Sequence, residues 1–416
     1  MMKTMKPCVT MLLFLGVVAS PAAPLFLTVS NRPPTASGLL WPISIQIDRS
    51  RVVEAVGAAD QLQLAPSGEV ASGPPILAQF EADAPDSPRG TLWWLLPPGP
   101  NGAQKWLLER RATPLGALLH IQQDPATGQW DISEAGVPVL RYNYQTNEPG
   151  AVLAKVRPGD LKYARARSDY IHPIYGPEGE ELTKDWSVDH PHHRGIYWAW
   201  PEVDYHGERG DLHALQRVFA RPTGQCVAEG GPVFARLEAE NLWLWDDRDA
   251  IVRERTLIRV WHGDANGRFV DLEFQFTALK DEVALARRET KLYGGLNVRL
   301  SAVKEQQIVL HTDPVGAVPR SAWADLSGMF AGGKGMNGLA IFQHPTNPDY
   351  PGDWIQYPEI NWFQPTFPTA GTRFVLKKDQ PLTLRYRLWI HAGRVSETGL
   401  SQLWAAYELP PLVTAK

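Results

Sequence analysis

The chain has 416 residues, 44% hydrophobic and 21% charged, a composition that excludes long disordered regions, coiled coils and collagen-like repeats. Its 41 basic and 45 acidic residues give a formal charge of −4, which argues against a protein dedicated to binding nucleic acid or an anionic membrane. The 36 Pro and 35 Gly favour many turns between short strands. We therefore expect a mainly β protein with few helices.

Residues 1–23 have the pattern of a secretory signal peptide. Lys3 and Lys6 precede an apolar run from Val9 to Ala19, and small residues follow at 20–24. A helix that spans a membrane needs about 20 apolar residues, more than this run provides, so a retained anchor is the less favoured alternative. We expect an exported protein, periplasmic or extracellular, with no membrane span after cleavage.

Residues 24–110 are predicted to form a small N-terminal β-sandwich domain. Ile43, Ile45 and Ile47 alternate with polar residues, which is the period of a half-buried strand. A second apolar run, from Thr91 to Leu96, is followed by a Pro-rich turn at residues 97–100 that cannot continue a strand ladder.

Residues 111–416 are predicted to form a larger domain, a β-sandwich or supersandwich. Only Ser396–Tyr407 has clear helical spacing, with apolar residues on one stripe. Alternation or continuous apolar character predicts strands at Val137–Tyr144, Leu242–Trp245, Thr256–Trp261, Phe269–Phe276, Leu296–Leu300, Gly338–Phe342 and Leu382–Ile390.

A histidine-rich motif carries the strongest chemical signal. His190, His192 and His193 lie within four residues, and imidazole exchanges protons near neutral pH or ligates metals. If Pro191 keeps this segment extended, His190 and His192 point to one side and His193 to the other. The alternative is structural, with the rings bonded inside a buried turn.

A third ring could join this motif from a second His-Pro pair. We expect His344 to lie in the same pocket as His190 and His192. All three are candidate catalytic residues. The same three residues are the candidates for a metal site, although no known ligand spacing such as H-E-x-x-H is present. No cofactor is predicted, and a divalent metal is left open.

Carboxylates and an arginine near the motif complete the predicted site. Asp204 and Asp211 follow it in a polar stretch and are candidate catalytic acids or bases, with surface solvation as the alternative. Arg194 and His193 are candidate substrate-binding residues, since a guanidinium grips anionic groups or sugar hydroxyls; an ion pair with Asp189 is the alternative for Arg194.

Tryptophans are the remaining candidates for contact with a substrate. Their faces stack on sugar rings as readily as on core neighbours. Four tryptophans flank the polar motifs: Trp198, Trp200, Trp354 and Trp362. Most tryptophans in any fold are core residues, so we expect two or three of them at most to contact substrate, and Trp198, Trp200 and Trp354 are the candidates.

Several motifs together resemble an exported bacterial family of unknown function that is often labelled "PmoA" or "methane oxygenase PmoA". They are residues 170–177, 189–195, 293–296, 322–325 and 342–345, and the resemblance runs from Thr28 to Tyr407. It implies a β-rich domain similar to the galactose-mutarotase supersandwich and a carbohydrate-processing context. Methane oxidation itself is excluded, because that membrane subunit needs several spans of about 20 apolar residues.

The sequence therefore predicts an exported enzyme that acts on a sugar or sugar derivative. Histidine and carboxylate would serve as acid and base in hydrolysis, elimination or epimerisation. Two alternatives stay open: a non-catalytic glycan-binding protein, and a metal-dependent sugar lyase or hydrolase. No nucleic-acid partner is expected.

Overall fold

The computed structural model describes residues 23–30, 39–68, 73–99, 102–113, 115–310 and 322–416, so the predicted signal peptide up to residue 22 lies outside it. Within these residues the protein is mainly β, with four sheets and few helices, as the sequence predicts. No helix in this part of the chain is long and apolar enough to cross a membrane.

The N-terminal sheet has seven described strands in the order β2-β5-β4-β3-β6-β1-β27, and helix α1 (Arg49–Val56) follows β2. Strands are numbered in chain order. The members of this sheet are β1 (Phe26–Ser30), β2 (Trp41–Asp48), β3 (Leu62–Ser67), β4 (Ile76–Ala82), β5 (Arg89–Leu96), β6 (Gln104–Arg110) and β27 (Leu412–Ala415).

Two further sheets form a sandwich. The short-strand sheet has the order β23-β24-β19-β11-β10-β9-β8-β7. Its strands are β7 (Leu119–Gln123), β8 (Trp130–Glu134), β9 (Val137–Asn143), β10 (Tyr170–Ile174), β11 (Ile196–Ala199), β19 (Gly295–Arg299), β23 (Trp354–Tyr357) and β24 (Trp362–Pro365).

The long-strand sheet faces it, in the order β14-β15-β16-β17-β26-β22-β21-β20. Its strands are β14 (Val218–Glu229), β15 (Phe234–Trp245), β16 (Asp249–Trp261), β17 (Gly267–Ala278), β20 (Val303–Leu310), β21 (Trp323–Phe330), β22 (Asn337–Gln343) and β26 (Leu382–Ala392). The predicted strands of the larger domain all lie in these two sheets.

Strand alternation explains the core between the two sheets. In β17, Val270, Leu272, Phe274 and Phe276 are buried and join one apolar cluster with residues of the short-strand sheet such as Trp198. Each large sheet therefore directs one face of every strand inward and leaves an outer face to be covered by something else.

The outer face of the long-strand sheet is covered by the N-terminal sheet. Trp261, Phe269 and Trp389 of that face share one apolar cluster with β1–β6 and with helix α2 (Glu397–Glu408). The predicted helix is confirmed, and it is capped by Ser396, whose Oγ accepts the Gly399 N–H at 3.1 Å.

The N-terminal sheet takes its last strand from the other end of the chain. Strand β27 pairs antiparallel with β1, with Leu27 opposite Ala415. The sheet is a single layer that shares its core with the larger domain instead of enclosing a core of its own. The division into residues 24–110 and 111–416 stays a prediction.

A small four-stranded sheet and four 3₁₀ helices complete the described structure. The small sheet contains β12 (Glu202–Tyr205), β13 (Glu208–Gly210), β18 (Ala284–Ala286) and β25 (Phe374–Val375), in the order β13-β12-β18-β25. The 3₁₀ helices are Gly150–Lys155, Pro158–Tyr163, Arg288–Thr290 and Pro358–Ile360.

Candidate functional site

A cleft of about 470 Å³ lies on the outer face of the short-strand sheet. Because Trp198 and Val298 point into the sandwich core, Tyr197 of β11 and Arg299 of β19 face the other way, with Trp362 of β24 opposite Arg299. Loops between the strands build the walls. The lining residues are Arg157, Asp160, Tyr163, Asp189, His190, Pro191, His192, His193, Asp211, His213, Ala214, Arg288, Tyr293, Tyr357, Glu359, Ile360 and Trp362.

The histidine-rich motif forms a turn rather than an extended segment. The His193 N–H donates to the His190 carbonyl at 2.9 Å, and Pro191 occupies the position where its fixed φ favours such a turn. The rings of His190 and His193 are therefore stacked, 4.7 Å apart, and His192 lies 4.6 Å from His193. The prediction that His193 points away from the other two is wrong for this reason.

His190 is the accessible member of the cluster, and its orientation is fixed by a carboxylate. Its side chain is 40% exposed, and its Nδ1 lies 2.9 Å from Asp189 Oδ2. Arg299 donates to the same Asp189 oxygen at 3.1 Å. Burial alone would raise the pKa of Asp189, but the His190 hydrogen bond and the Arg299 charge lower it to about 2. An ionised Asp189 thus occupies Nδ1 and leaves Nε2 of His190 for a ligand.

His193 and His213 are buried, His192 is half-buried, and all three rings are uncharged at neutral pH. Burial, followed by neighbouring positive groups, lowers the pKa of His192 to about 3 and those of His193 and His213 well below the ordinary value. Neutral imidazoles can donate one hydrogen bond and accept another, so these rings supply polarity to the cleft without charge.

Asp211 and His213 enter the cleft on a single turn. Asp211 Oδ1 accepts the Ala214 N–H at 2.7 Å, and its Oδ2 lies 3.8 Å from Arg288. Burial outweighs these contacts and raises the pKa of Asp211 to about 6. The Tyr197 hydroxyl lies 2.9 Å from His213 Nε2. Asp211 is therefore a carboxyl that can hold a proton close to neutral pH.

Aromatic side chains surround these polar groups. The Trp362 ring lies 4.3 Å from His193, and Tyr293 lies 4.8 Å from His213. Tyr357 packs on Trp362 and Tyr163 packs on His192, at 5.3 and 5.4 Å between ring centres. The cleft therefore combines flat apolar faces with hydrogen-bonding groups.

A family model of a family of unknown function, DUF6807, matches residues 129–405. The chain belongs to the DUF6807 family. The matched region contains every residue that lines the cleft and leaves out strands β1–β6 and β27 of the N-terminal sheet. The match supports neither the PmoA label nor the mutarotase likeness that the sequence motifs suggest. No curated protein matches the chain.

Two predicted catalytic residues of this DUF6807 protein lie outside the cleft. Asp204 is on β12, where it forms ion pairs with Arg209 and Arg373 at 3.0 and 2.6 Å. His344 follows β22 and packs on Tyr407 of α2, at 5.2 Å between ring centres. The expectation that His344 and Asp204 share a pocket with the histidine motif is wrong, because neither lines this cleft.

The three predicted metal ligands do not lie together, because His344 is outside the cleft. His190 and His192 line the cleft, whereas His344 belongs to the outer side of the long-strand sheet. Among the described residues, no group of three or more His, Cys, Asp or Glu side chains is arranged to hold a metal ion.

Arg194 holds the motif in place but does not line the cleft. It is 1% exposed, and it forms an ion pair with Asp185 and a hydrogen bond with the Tyr170 hydroxyl. Its guanidinium stacks 3.5 Å from the Trp186 ring. The prediction that Arg194 binds substrate is therefore wrong. Its ion-pair partner is Asp185, not Asp189 as the alternative supposed.

The three predicted tryptophans are core residues. Trp198 is 3% exposed and packs on Phe274, and Trp200 and Trp354 are 0% and 3% exposed. Trp198 of β11 and Trp200, which follows that strand, both belong to the apolar core cluster, and neither lines the cleft. The prediction that they stack on a substrate is wrong.

Other cleft residues were missed by the sequence reasoning. His213 follows Asp211 by two residues in the same polar stretch, so its proximity could have been recognised. Tyr293 precedes a glycine pair in one of the resembling motifs. Tyr163 and Tyr357 reach the cleft from distant loops and strands, which no local pattern indicates. Trp362, which the sequence singled out with the other three tryptophans, does line the cleft.

Proposed function

We propose that this cleft binds a sugar and processes it by proton transfer, with Asp211 as the acid and His190 as the base. The observation that carries the proposal is that both groups line one cleft whose walls are aromatic. Hydrolysis, elimination and epimerisation of sugars each require one group that gives a proton and one that takes it.

The environments of the two groups suit these different roles. The pKa of Asp211 near 6 leaves part of its population protonated close to neutral pH. His190 is held through Nδ1 by Asp189, so its free Nε2 can accept a proton from a ligand. Pairs of titratable groups in contrasting environments are the usual basis of an acid and base assignment.

The neutral rings supply the binding part of the proposal. The half-buried His192 can hydrogen-bond sugar hydroxyls, and the half-buried rings of Tyr293 and Tyr357 can cover the apolar face of a pyranose ring. The same aromatic walls favour a second candidate, a glycan-binding protein without catalysis. The two candidates differ in whether Asp211 and His190 are required for turnover or only for affinity.

Export is part of the same proposal. The basic residues, apolar run and small residues within positions 1–23 support a cleavable signal, so the sugar would be met in the periplasm or outside the cell. Neither nucleic acid nor a membrane is proposed as a partner.

A panel of oligosaccharides and oxidised sugars, read by product formation and by calorimetry, tests the proposal. We expect His190→Gln to lose about 10²- to 10⁴-fold in turnover while the melting temperature changes little. His206→Gln is the matched control, because His206 is an exposed histidine on the β12–β13 turn and does not line the cleft. Sugar binding without turnover in the wild type would favour the glycan-binding candidate. Wild-type turnover in His190→Gln would remove His190 from the mechanism.

A further inference from the structure

Arg167 lies beneath the turn that carries Asp211 and His213. Its side chain is buried, with 4% exposure. Nη2 donates to the carbonyls of Leu212 and His213, the latter at 3.1 Å. One guanidinium group therefore satisfies two successive carbonyl oxygens of the turn that follows Asp211.

The same guanidinium also supports the His213 ring through a tyrosine. The Arg167 carbon Cζ lies 4.6 Å from the centre of the Tyr197 ring, and the Tyr197 hydroxyl contacts His213 Nε2 at 2.9 Å. Arg167 itself is held by paired backbone hydrogen bonds with Asn147. The backbone and the ring of His213 are thus both anchored to one side chain.

No carboxylate contacts Arg167 among the described residues, which is unusual for a buried cation. Burial lowers its pKa to about 10, and the charge of Arg194 acts in the same direction. Tyr197, Asp169 and Asp211 raise the pKa of Arg167 in the opposite direction. The two carboxylates do so without a direct contact to the guanidinium. A planar donor that is charged at neutral pH matches two carbonyls and a ring face better than lysine would.

We propose that Arg167 is a positioning residue that holds, from below the cleft, the turn that carries Asp211 and His213. This inference rests on the proposed function of the cleft. Arg167 does not line the cleft and so acts through the turn and Tyr197 instead of touching the sugar.

Electrostatics gives the inference a measurable consequence. The Arg167 charge lowers the pKa of Asp211 and those of His192 and His213. Removing the charge should therefore raise the pKa of all three groups, and Asp211 should titrate above about 6. A residue that only fills space in the core would leave these titrations unchanged.

The test follows the Asp211 carboxyl carbon and the His213 ring by NMR through a pH titration of the full chain. We expect Arg167→Met to raise the Asp211 pKa and to disturb the His213 signals. Arg167→Lys keeps the charge but not the paired donors, so it should restore the Asp211 titration and leave the His213 signals displaced. Arg221→Met is the control, since Arg221 pairs with Asp247 away from the cleft.

Unchanged Asp211 and His213 titrations in Arg167→Met would overturn the inference, even if the melting temperature fell. If Arg167→Met does not fold, Arg167→Lys decides, and native His213 signals in that variant would overturn it. These readouts need no substrate. A protein in which Arg167 shifts both titrations while Asp211→Asn keeps full turnover would refute the proposed chemistry and leave the positioning role intact.

Discussion

The two large sheets of the sandwich differ in what covers their outer faces. Loops and 3₁₀ helices cover the short-strand sheet and leave a cleft lined by four histidines. The N-terminal sheet and α2 cover the long-strand sheet, and share an apolar core with it. The same outward strand positions therefore become a candidate site on one sheet and a packing surface on the other.

Histidines on the two sides show what this difference does. On the covered side, His391 is completely buried and its Nε2 lies 2.8 Å from the Asp325 carboxylate. On the cleft side, His190 keeps a carboxylate partner while His192 and His193 have no hydrogen-bond partner at Nδ1 within the described structure. Nδ1 of His391 also lacks a partner within the described structure, so the difference between the two sides lies in access. His391 is 0% exposed on the covered side, whereas the side chain of His190 is 40% exposed in the cleft.

The largest effect expected from this contrast is on turnover. Asp211→Asn should lose about 10²- to 10⁴-fold, because the amide cannot give up a proton. The acid form of Asp211 disappears as the pH rises through about 6, so wild-type turnover should fall over that range. Rate measurements from pH 4 to 9 on a sugar substrate check both statements.

Asp204→Asn is the matched control for this experiment. Asp204 carries two surface ion pairs and does not line the cleft, so turnover should stay within about twofold of wild type. Equal losses in the two variants would show that the cleft is not the reacting site.

A smaller effect is expected on stability in acid. The folded pKa of His192 is about 3, below the ordinary value, so the unfolded chain binds a proton that the folded chain rejects. The contribution of the neutral His192 to the free energy of unfolding is therefore fully present above about pH 6.5, and it is lost as the pH falls towards 3. His192→Gln should remove part of this decline, about 1–3 kcal/mol, in chemical unfolding at pH 8 and pH 4. An unchanged difference between the two pH values would contradict a buried neutral ring.

The smallest effect is expected at the covered sheet. His344→Gln should leave sugar affinity and turnover within about twofold, since His344 packs on Tyr407 and bonds Thr346 at 2.7 Å. Calorimetry and rate assays on this variant beside His190→Gln make the comparison direct. A loss similar to that of His190→Gln would mean that the two sides of the sandwich cooperate.

The sequence by itself determined the β architecture. Alternation placed β9, β17 and β26, and the apolar stripe placed α2, because these patterns depend on the period of the local backbone. The density of histidines located one wall of the cleft. Proximity along the chain also put Asp211 near that wall.

Only the tertiary structure decided which residues meet there. The direction of Trp198 and the separation of His344 from the motif follow from strand pairing and sheet order, over distances that no local period encodes. Burial then set the chemistry: neighbouring loops raise the Asp211 pKa and lower that of His192. The type of a residue determines which atom can carry a proton, and its surroundings determine the pH at which that atom is protonated.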